Sequence, residues 1–208
     1  MYRGLWGKKI GMTQVFAGDK VVPVTVIDVD NWFITSIKTI ENDGYSAVQV
    51  GRVKDKFVGS AFSPEWLKKP KQFFSALREI RLDEQSLDGL EVGRLMAADS
   101  IIAPGETVSA FGITKGCGFA GVVRRHRFRG PPASHGSMMG NRPGSIGNFS
   151  TQGKVIKGKK LPGQMGNRNR MVAGLEVVRV ESDARVVLLK GSIPGKAGSL
   201  VFIRKSIG

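Results

Sequence analysis

The sequence predicts a mainly β protein: a small closed barrel, interrupted by an α+β insertion and carrying a long, irregular, basic extension. Three observations predict it. Short β-branched runs recur near both ends of the chain. A middle stretch around Trp66 changes to helix-start chemistry and aromatic anchors. A third stretch, Gly112 to Gly174, contains 14 glycines and shows almost no hydrophobic period.

The strands come first. Val21-Val22-Pro23-Val24-Thr25-Val26-Ile27 is short and β-branched, and Phe33 to Ile37 and Ser46 to Val50 follow at strand-like spacing. Asn42-Asp43-Gly44 between the latter two is a turn signal. Pro23 lacks a ladder donor, which favours an edge position or a strand start. Thr107 to Phe111, Leu175 to Val180, Arg185 to Lys190 and Leu200 to Arg204 supply four more strands. Six or seven short strands at these intervals favour a small barrel over a parallel sheet. In the insertion, Ser63-Pro64-Glu65-Trp66 opens a helix with Ser63 as N-cap and Pro64 at the first helical position. Pro70 must break or restart it. Trp66, Leu67, Phe73, Phe74, Leu77 and Ile80 are expected as core anchors. The domain reading is therefore 1–50 first part of the barrel, 51–105 insertion, 106–111 barrel strand, 112–174 extension and 175–208 last part of the barrel.

The net charge of +15 becomes informative once it is located. Met1 to Glu106 holds 14 Lys and Arg against 14 Asp and Glu, whereas 107–175 holds 12 cations and no acid. The remainder holds six cations against three acids. A solvated face balances its signs; an acid-free stretch of this length repels itself and needs an external polyanion. A membrane-surface helix would need sustained amphipathic periodicity, which Gly and Pro interrupt here. No apolar run reaches the roughly 18 residues needed to span a bilayer, and Met1 to Lys9 has no signal-peptide pattern. With one cysteine, Cys117, no internal disulfide framework is expected. These features point to a cytoplasmic chain without a membrane partner.

Enzymatic readings fail on their own terms. Gly116-Cys117-Gly118-Phe119-Ala120-Gly121 matches a dinucleotide-binding glycine pattern, but the acid that should follow about 20 residues later is missing; the next is Glu176. Gly147 to Lys154 resembles a phosphate-binding loop, yet five residues separate Gly147 from Gly153 and Val155 stands where Ser or Thr would hold magnesium. His126 and His135 with Cys117 give no paired metal-ligand spacing, and His135 has no carboxylate in its segment to orient it as a base. Neither metal nor cofactor is expected. Phe119, Val122, Val123 and His126 fall at helical spacing, so a short helix is expected there, with arginines on its other faces. From Gly130 to Gly166 no period of either kind appears, and a loop so long requires an external partner to order it. Signatures of DNA-reading modules are absent, and an irregular, glycine-rich basic arm suits folded RNA. The candidate RNA-binding residues are Lys115, Arg124, Arg125, Arg127, Arg129, His135, Arg142, Lys154, Lys157, Lys159, Lys160, Arg168 and Arg170, to which the motifs described next add Lys8 and Lys9.

The same residues carry a family resemblance. Gly7-Lys8-Lys9-Ile10-Gly11-Met12-Thr13-Gln14 resembles the opening of bacterial large-subunit ribosomal protein L-three. Lys115 to Gly121, Ser134-His135-Gly136, Arg142-Pro143-Gly144-Ser145-Ile146-Gly147, Lys157-Gly158-Lys159-Lys160 with Gly163-Gln164-Met165-Gly166, and Lys190 to Gly195 continue it in family order. The resemblance implies a six-stranded translation-protein-type barrel and an extension running through large-subunit (23S-type) rRNA toward the peptidyl transferase centre. It also implies an early role in subunit assembly, neighbouring large-subunit proteins as further partners, and a ribosome-bound location. Cys117 stands where the family usually has a basic residue, and Ile113 where it has a small hydroxyl one. Many bacterial members carry a methylated glutamine after the Ser-Ile-Gly motif. Here Asn148 and Ser150 hold the aligned positions, and Gln152, slightly displaced, is the candidate for that modification.

Overall fold

A computed structural model describes residues 4–60, 62–82, 90–96, 101–148 and 153–205. In chain order the elements are β1 (Gly4–Ala17), β2 (Lys20–Asp28), β3 (Trp32–Lys38), α1 (Ile40–Asp43), β4 (Ala47–Val53), α2 (Glu65–Lys68), α3 (Pro70–Phe73) and β5 (Phe74–Arg81). They continue with β6 (Thr107–Ile113), β7 (Phe119–Ala120), α4 (Val122–His126), β8 (Gly163–Gln164), β9 (Asn169–Glu181), β10 (Val186–Lys190) and β11 (Leu200–Lys205). The chain divides into two compact units, Met1–Ile113 with Asn169–Gly208, and Thr114–Arg168.

The first unit is built on a six-stranded antiparallel sheet in the order β1-β11-β6-β9-β10-β2, and β2 pairs back to β1. Ring pairing leaves no open edge to template aggregation. Alternation decides which residues face inward. Val108 and Ala110 of β6, Val187 and Leu189 of β10, and Val201 and Ile203 of β11 are fully buried, while the residues between them are less so. Gly18 turns β1 into β2. Ala17 pairs with Lys20 across a two-residue loop, and Gly18 has φ +59, the positive value that such a tight turn needs at its first central position. Pro23 lies within β2, opposite Gln14. Its carbonyl accepts from Gly191 N–H at 2.9 Å, so its nitrogen also faces the β10 side, beyond the last β10 pair at Val24. The missing N–H therefore costs no ladder bond.

β1 is the strand that the sequence reading does not anticipate. It is rich in glycine, a weak strand former, yet two of those glycines are demanded by packing. A Cβ at Gly7 would lie 2.4 Å from Ile27 Cγ2 and 3.0 Å from Asp28 O, and one at Gly4 would lie 2.2 Å from Ile203 O.

β3, β4 and β5 form a separate three-stranded antiparallel sheet. The Phe33–Ile37 and Ser46–Val50 runs, grouped with the barrel on sequence, thus pair with a strand of the insertion instead. The reason is that β5, after Pro70 restarts the chain as α3, supplies the neighbour for β4 through a register from Ala47↔Arg81 to Val53↔Phe74. Both sheets share one core: Trp32, Ile34, Val48, Val50 and Ile80 cluster with Leu5, Ile27 and Ile203. A second cluster under the small sheet holds Val53, Trp66 and Phe74, with Trp66 stacked on Phe73 at 5.6 Å between ring centroids. The insertion's aromatics serve as core, as expected, but Leu67 is exposed. Pro64 rather than Ser63 is the N-cap of α2, and no side chain caps the helix; Ser63 Oγ, one residue earlier, accepts from Glu65 N–H at 3.4 Å.

Replacing Gly7 by Ala is expected to lower unfolding free energy by about 1–3 kcal/mol through overpacking against Ile27. Gly11→Ala, where a Cβ meets nothing within 4 Å, should stay within about 0.5 kcal/mol of the parent. Urea unfolding of the two variants measures both, and equal costs would refute this packing account.

Candidate RNA interface

The second unit, Thr114–Arg168, carries 11 Lys and Arg and no carboxylate. Its cations can find no ion pair within it. Its order comes instead from backbone hydrogen bonds near its two ends and from local turns between them.

At the ends, Thr114 N–H donates to Arg168 O at 2.9 Å, Cys117 N–H to Met165 O at 2.8 Å and Met165 N–H to Gly118 O at 2.9 Å. β7 and β8 then pair Phe119 with Gln164 and Ala120 with Gly163. Gly166 allows this closeness: its φ is +75, and a Cβ there would sit 2.0 Å from Lys115 O. Only glycine tolerates both conditions.

α4 follows, as the Val122–Val123–His126 spacing predicts, although Phe119 belongs to β7 and is 79% exposed. Val122 is buried and anchors the helix. Arg125 Nη1 donates to Leu161 O at 2.6 Å, and His126 Nε2 lies 3.1 Å from the same carbonyl. A Cβ at Gly163 would fall 2.8 Å from Arg125 Nη1. Arg125 is therefore half-buried and ties α4 to the 161–163 segment that leads into β8, while Arg124, Arg127 and Arg129 remain exposed.

Between residues 130 and 161 the described backbone has turns and bends but neither helix nor strand. His135, Arg142, Lys154, Lys157, Lys159 and Lys160 are all exposed there. Phe128, Arg129, Met139 and Arg142 line an open cleft of ≈ 520 Å³. Planar guanidinium groups beside an aromatic ring suit a phosphate and a stacked base together. Lys115 and Arg168 are exposed near the paired ends. Gln152, the methylation candidate, lies outside the described residues.

Three of the sequence candidates belong to the first unit. Arg170 is exposed on β9. Lys9 does not face outward: it is 8% exposed, and its ammonium donates to Ile193 O at 2.9 Å and Gly195 O at 3.2 Å. The expectation of a nucleic-acid contact at Lys9 is corrected. The side chain alternates inward from Lys8 and its charge is met by carbonyls of the 193–195 turn, each such bond worth about 1.5–3 kcal/mol. Lys8 is half-buried beside a cleft that also presents Arg52, Lys54 and Lys56. Sequence reasoning passed over those three because acids elsewhere in the first 106 residues cancel them. The alternation 52, 54, 56 was the signal available.

Comparison with known proteins places this geometry. The family model for ribosomal protein L3 matches residues 84–186. The large ribosomal subunit protein uL3 of Syntrophus aciditrophicus is 43% identical over 209 residues, covering 99% of this chain and 94% of its own. Its counterpart from Limosilactobacillus fermentum is 44% identical over 214 residues (100% and 94%), and that from Thermosipho melanesiensis 40% over 200 residues (96% of each). At this identity over nearly the whole length, the chain belongs to the uL3 family, structural and non-enzymatic constituents of the large ribosomal subunit.

Proposed function

We propose that this chain binds large-subunit (23S-type) rRNA directly, that its binding helps nucleate early subunit assembly, and that segment 112–174 extends toward the peptidyl transferase centre. The observation that carries the reading is the acid-free unit 114–168 with its exposed cations. In this proposal the closed six-stranded sheet is a translation-protein-type barrel, made of β1, β2, β6, β9, β10 and β11, with β6 running past the expected 106–111 to Ile113 and β9 starting at Asn169 rather than 175; of 1–50 it leaves out β3 and β4. These two join 51–105 in the α+β insertion.

The mechanism is scaffolding. The body holds a fixed fold, and the basic segment orders on RNA and fixes neighbouring RNA elements in one geometry. The residues assigned to rRNA are Lys8, Lys115, Arg124, Arg125, Arg127, Arg129, His135, Arg142, Lys154, Lys157, Lys159, Lys160, Arg168 and Arg170. Arg125 has four N–H donors beyond the one held by Leu161. Lysines supply point charges along the backbone, and arginines add planar stacking and bidentate phosphate contact. Neighbouring large-subunit proteins complete the partners, and the location is cytoplasmic and ribosome-bound. No helix among the described residues is long and apolar enough to cross a membrane. Gln152 stays a proposed methylation site.

If about 6 to 10 phosphates are engaged, affinity for large-subunit rRNA should fall roughly 10³- to 10⁵-fold between 50 and 200 mM salt. Replacing Lys157, Lys159 and Lys160 by Gln should reduce the log–log salt slope by about 2–3. Filter binding across a salt series reads both, and a salt-independent affinity would sink the proposal.

Amide hydrogen exchange supplies a separate test. In the free protein, residues 130–148 and 153–161 should exchange within the dead time of a manual experiment, while β6, β10 and β11 stay protected. In the assembled particle the segment should gain protection. Strong protection of it in the isolated chain would mean that it is ordered without RNA.

A further inference from the structure

A second cluster of cations stands in the near-neutral first unit. Lys8 of β1, Arg52 near the end of β4, Lys54 and Lys56 after it, Gly198 just before β11 and Leu200 at its start surround a cleft of ≈ 550 Å³. Two chain segments far apart in sequence, Lys8 and 52–56, bring four cations together around one lining carboxylate, Asp55.

Arg52 forms the floor, paired with two carboxylates but with its donor set incompletely filled. Its side chain is 10% accessible. Nη2 donates to Asp28 Oδ2 at 3.2 Å, and Nη1 lies 3.5 Å from Asp55 Oδ1, whose side chain is 80% exposed. Nε–H is buried and has no acceptor among the described residues. A buried guanidinium normally fills its donor set, since a buried N–H without an acceptor is costly. The lysines do not relieve it. Lys54 spends one ammonium N–H on Lys71 O at 2.7 Å. Among the described residues no ion pair engages Lys8, Lys54 or Lys56. Like charges gathered at one mouth repel unless an anion joins them.

We propose that this cleft is a phosphate-binding site. The phosphate displaces the exposed Asp55 from Arg52 Nη1, and Lys8, Lys54 and Lys56 close on its remaining oxygens. Arginine at the base and lysines at the rim match a tetrahedral oxyanion, with charge-assisted hydrogen bonds on several sides. The phosphate belongs either to the RNA backbone or to a free phosphate anion. Only the first source rests on the rRNA-binding reading above.

The test uses the full chain and two double variants, Lys54→Gln/Lys56→Gln in the cleft and Lys157→Gln/Lys159→Gln in the basic segment. Inorganic phosphate is titrated while the backbone amide shifts of Lys8, Arg52 and Lys54 are followed by NMR, and affinity for large-subunit rRNA is measured across a salt series. Saturable shifts at these three amides, abolished in the cleft variant and kept in the segment variant, are expected. The cleft variant should also lower the rRNA salt slope by about 1–2, which assigns the phosphate to RNA. Phosphate shifts with an unchanged rRNA slope keep the site and assign it to a free anion. The proposal is overturned if phosphate moves none of the three amides and only the segment variant lowers the slope. If neither variant changes the slope, the rRNA reading fails, and the phosphate titration alone decides the cleft: shifts keep it and their absence overturns it. Thermal unfolding of both variants, with the substituted residues exposed or half-exposed, separates lost binding from lost fold.

Discussion

The pairing of Ile113 with Asn169 is the constraint on which the rest depends. It fixes two points of the chain within one ladder step, and the whole acid-free unit is strung between them. Closing a long loop costs free energy that grows only slowly, about 0.6 kcal/mol per doubling of length. The β6–β9 register bears that cost readily, because it lies in a sheet with no free edge. The basic segment can therefore be long, glycine-rich and self-repelling without endangering the body. The reverse arrangement, with the same segment at an edge strand, would leave the strand free to slip register.

Charge and fold are segregated for a related reason. A compact core cannot tolerate a large unbalanced charge, because self-repulsion disfavours the compact state. In the first unit Arg52 meets Asp28, Lys190 meets Glu176, and Lys205 meets Glu106, whose carboxyl is held below its ordinary range chiefly by the Lys205 hydrogen bond. These pairs join strands or loops that the sheet has already brought together, and being mostly exposed they steer more than they stabilise. Thr114–Arg168 has no such pairs to make, and among its described residues Ala120 and Val122 are the buried apolar ones. What it has is repeated backbone–backbone closure near its ends, at residues 114, 117, 118, 165 and 168.

Legibility in the sequence followed the reach of each signal. β2, β6, β10 and β11 were visible because β-branched alternation is local and their inward residues are the apolar ones. α4 and the Pro70 restart were visible for the same reason. β1 was not, since its glycines are required by neighbours 20 or more residues away in the chain, Ile27 and Ile203, and a glycine with a steric reason reads like a glycine with none. β3 and β4 were seen as strands but grouped with the wrong sheet, because pairing partners are decided by tertiary contacts that alternation does not encode. Of the interface, the charge asymmetry exposed nearly every cation of 114–168. It could not show that Arg125 faces inward to Leu161, or that Lys9 points into the 193–195 turn while Lys8, one residue earlier, does not.

That last pair shows how one strand divides its labour. Successive side chains on β1 point to opposite faces, so Lys8-Lys9 cannot act as a doublet. Lys9 spends its charge on Ile193 and Gly195 carbonyls, and its own backbone accepts from Gly198 N–H at 2.7 Å and donates to Ser199 O at 2.9 Å. The 193–199 loop is thereby pinned at both its carbonyl and its amide side. Gly198, held by this pinning, lines the cleft beside Lys8, whose Cε is 3.9 Å from the position a Cβ on Gly198 would take. The inward lysine thus builds one wall of the cleft that the outward lysine faces. A basic dipeptide that looks like surface charge in the sequence becomes, on a strand, one structural ammonium and one available one.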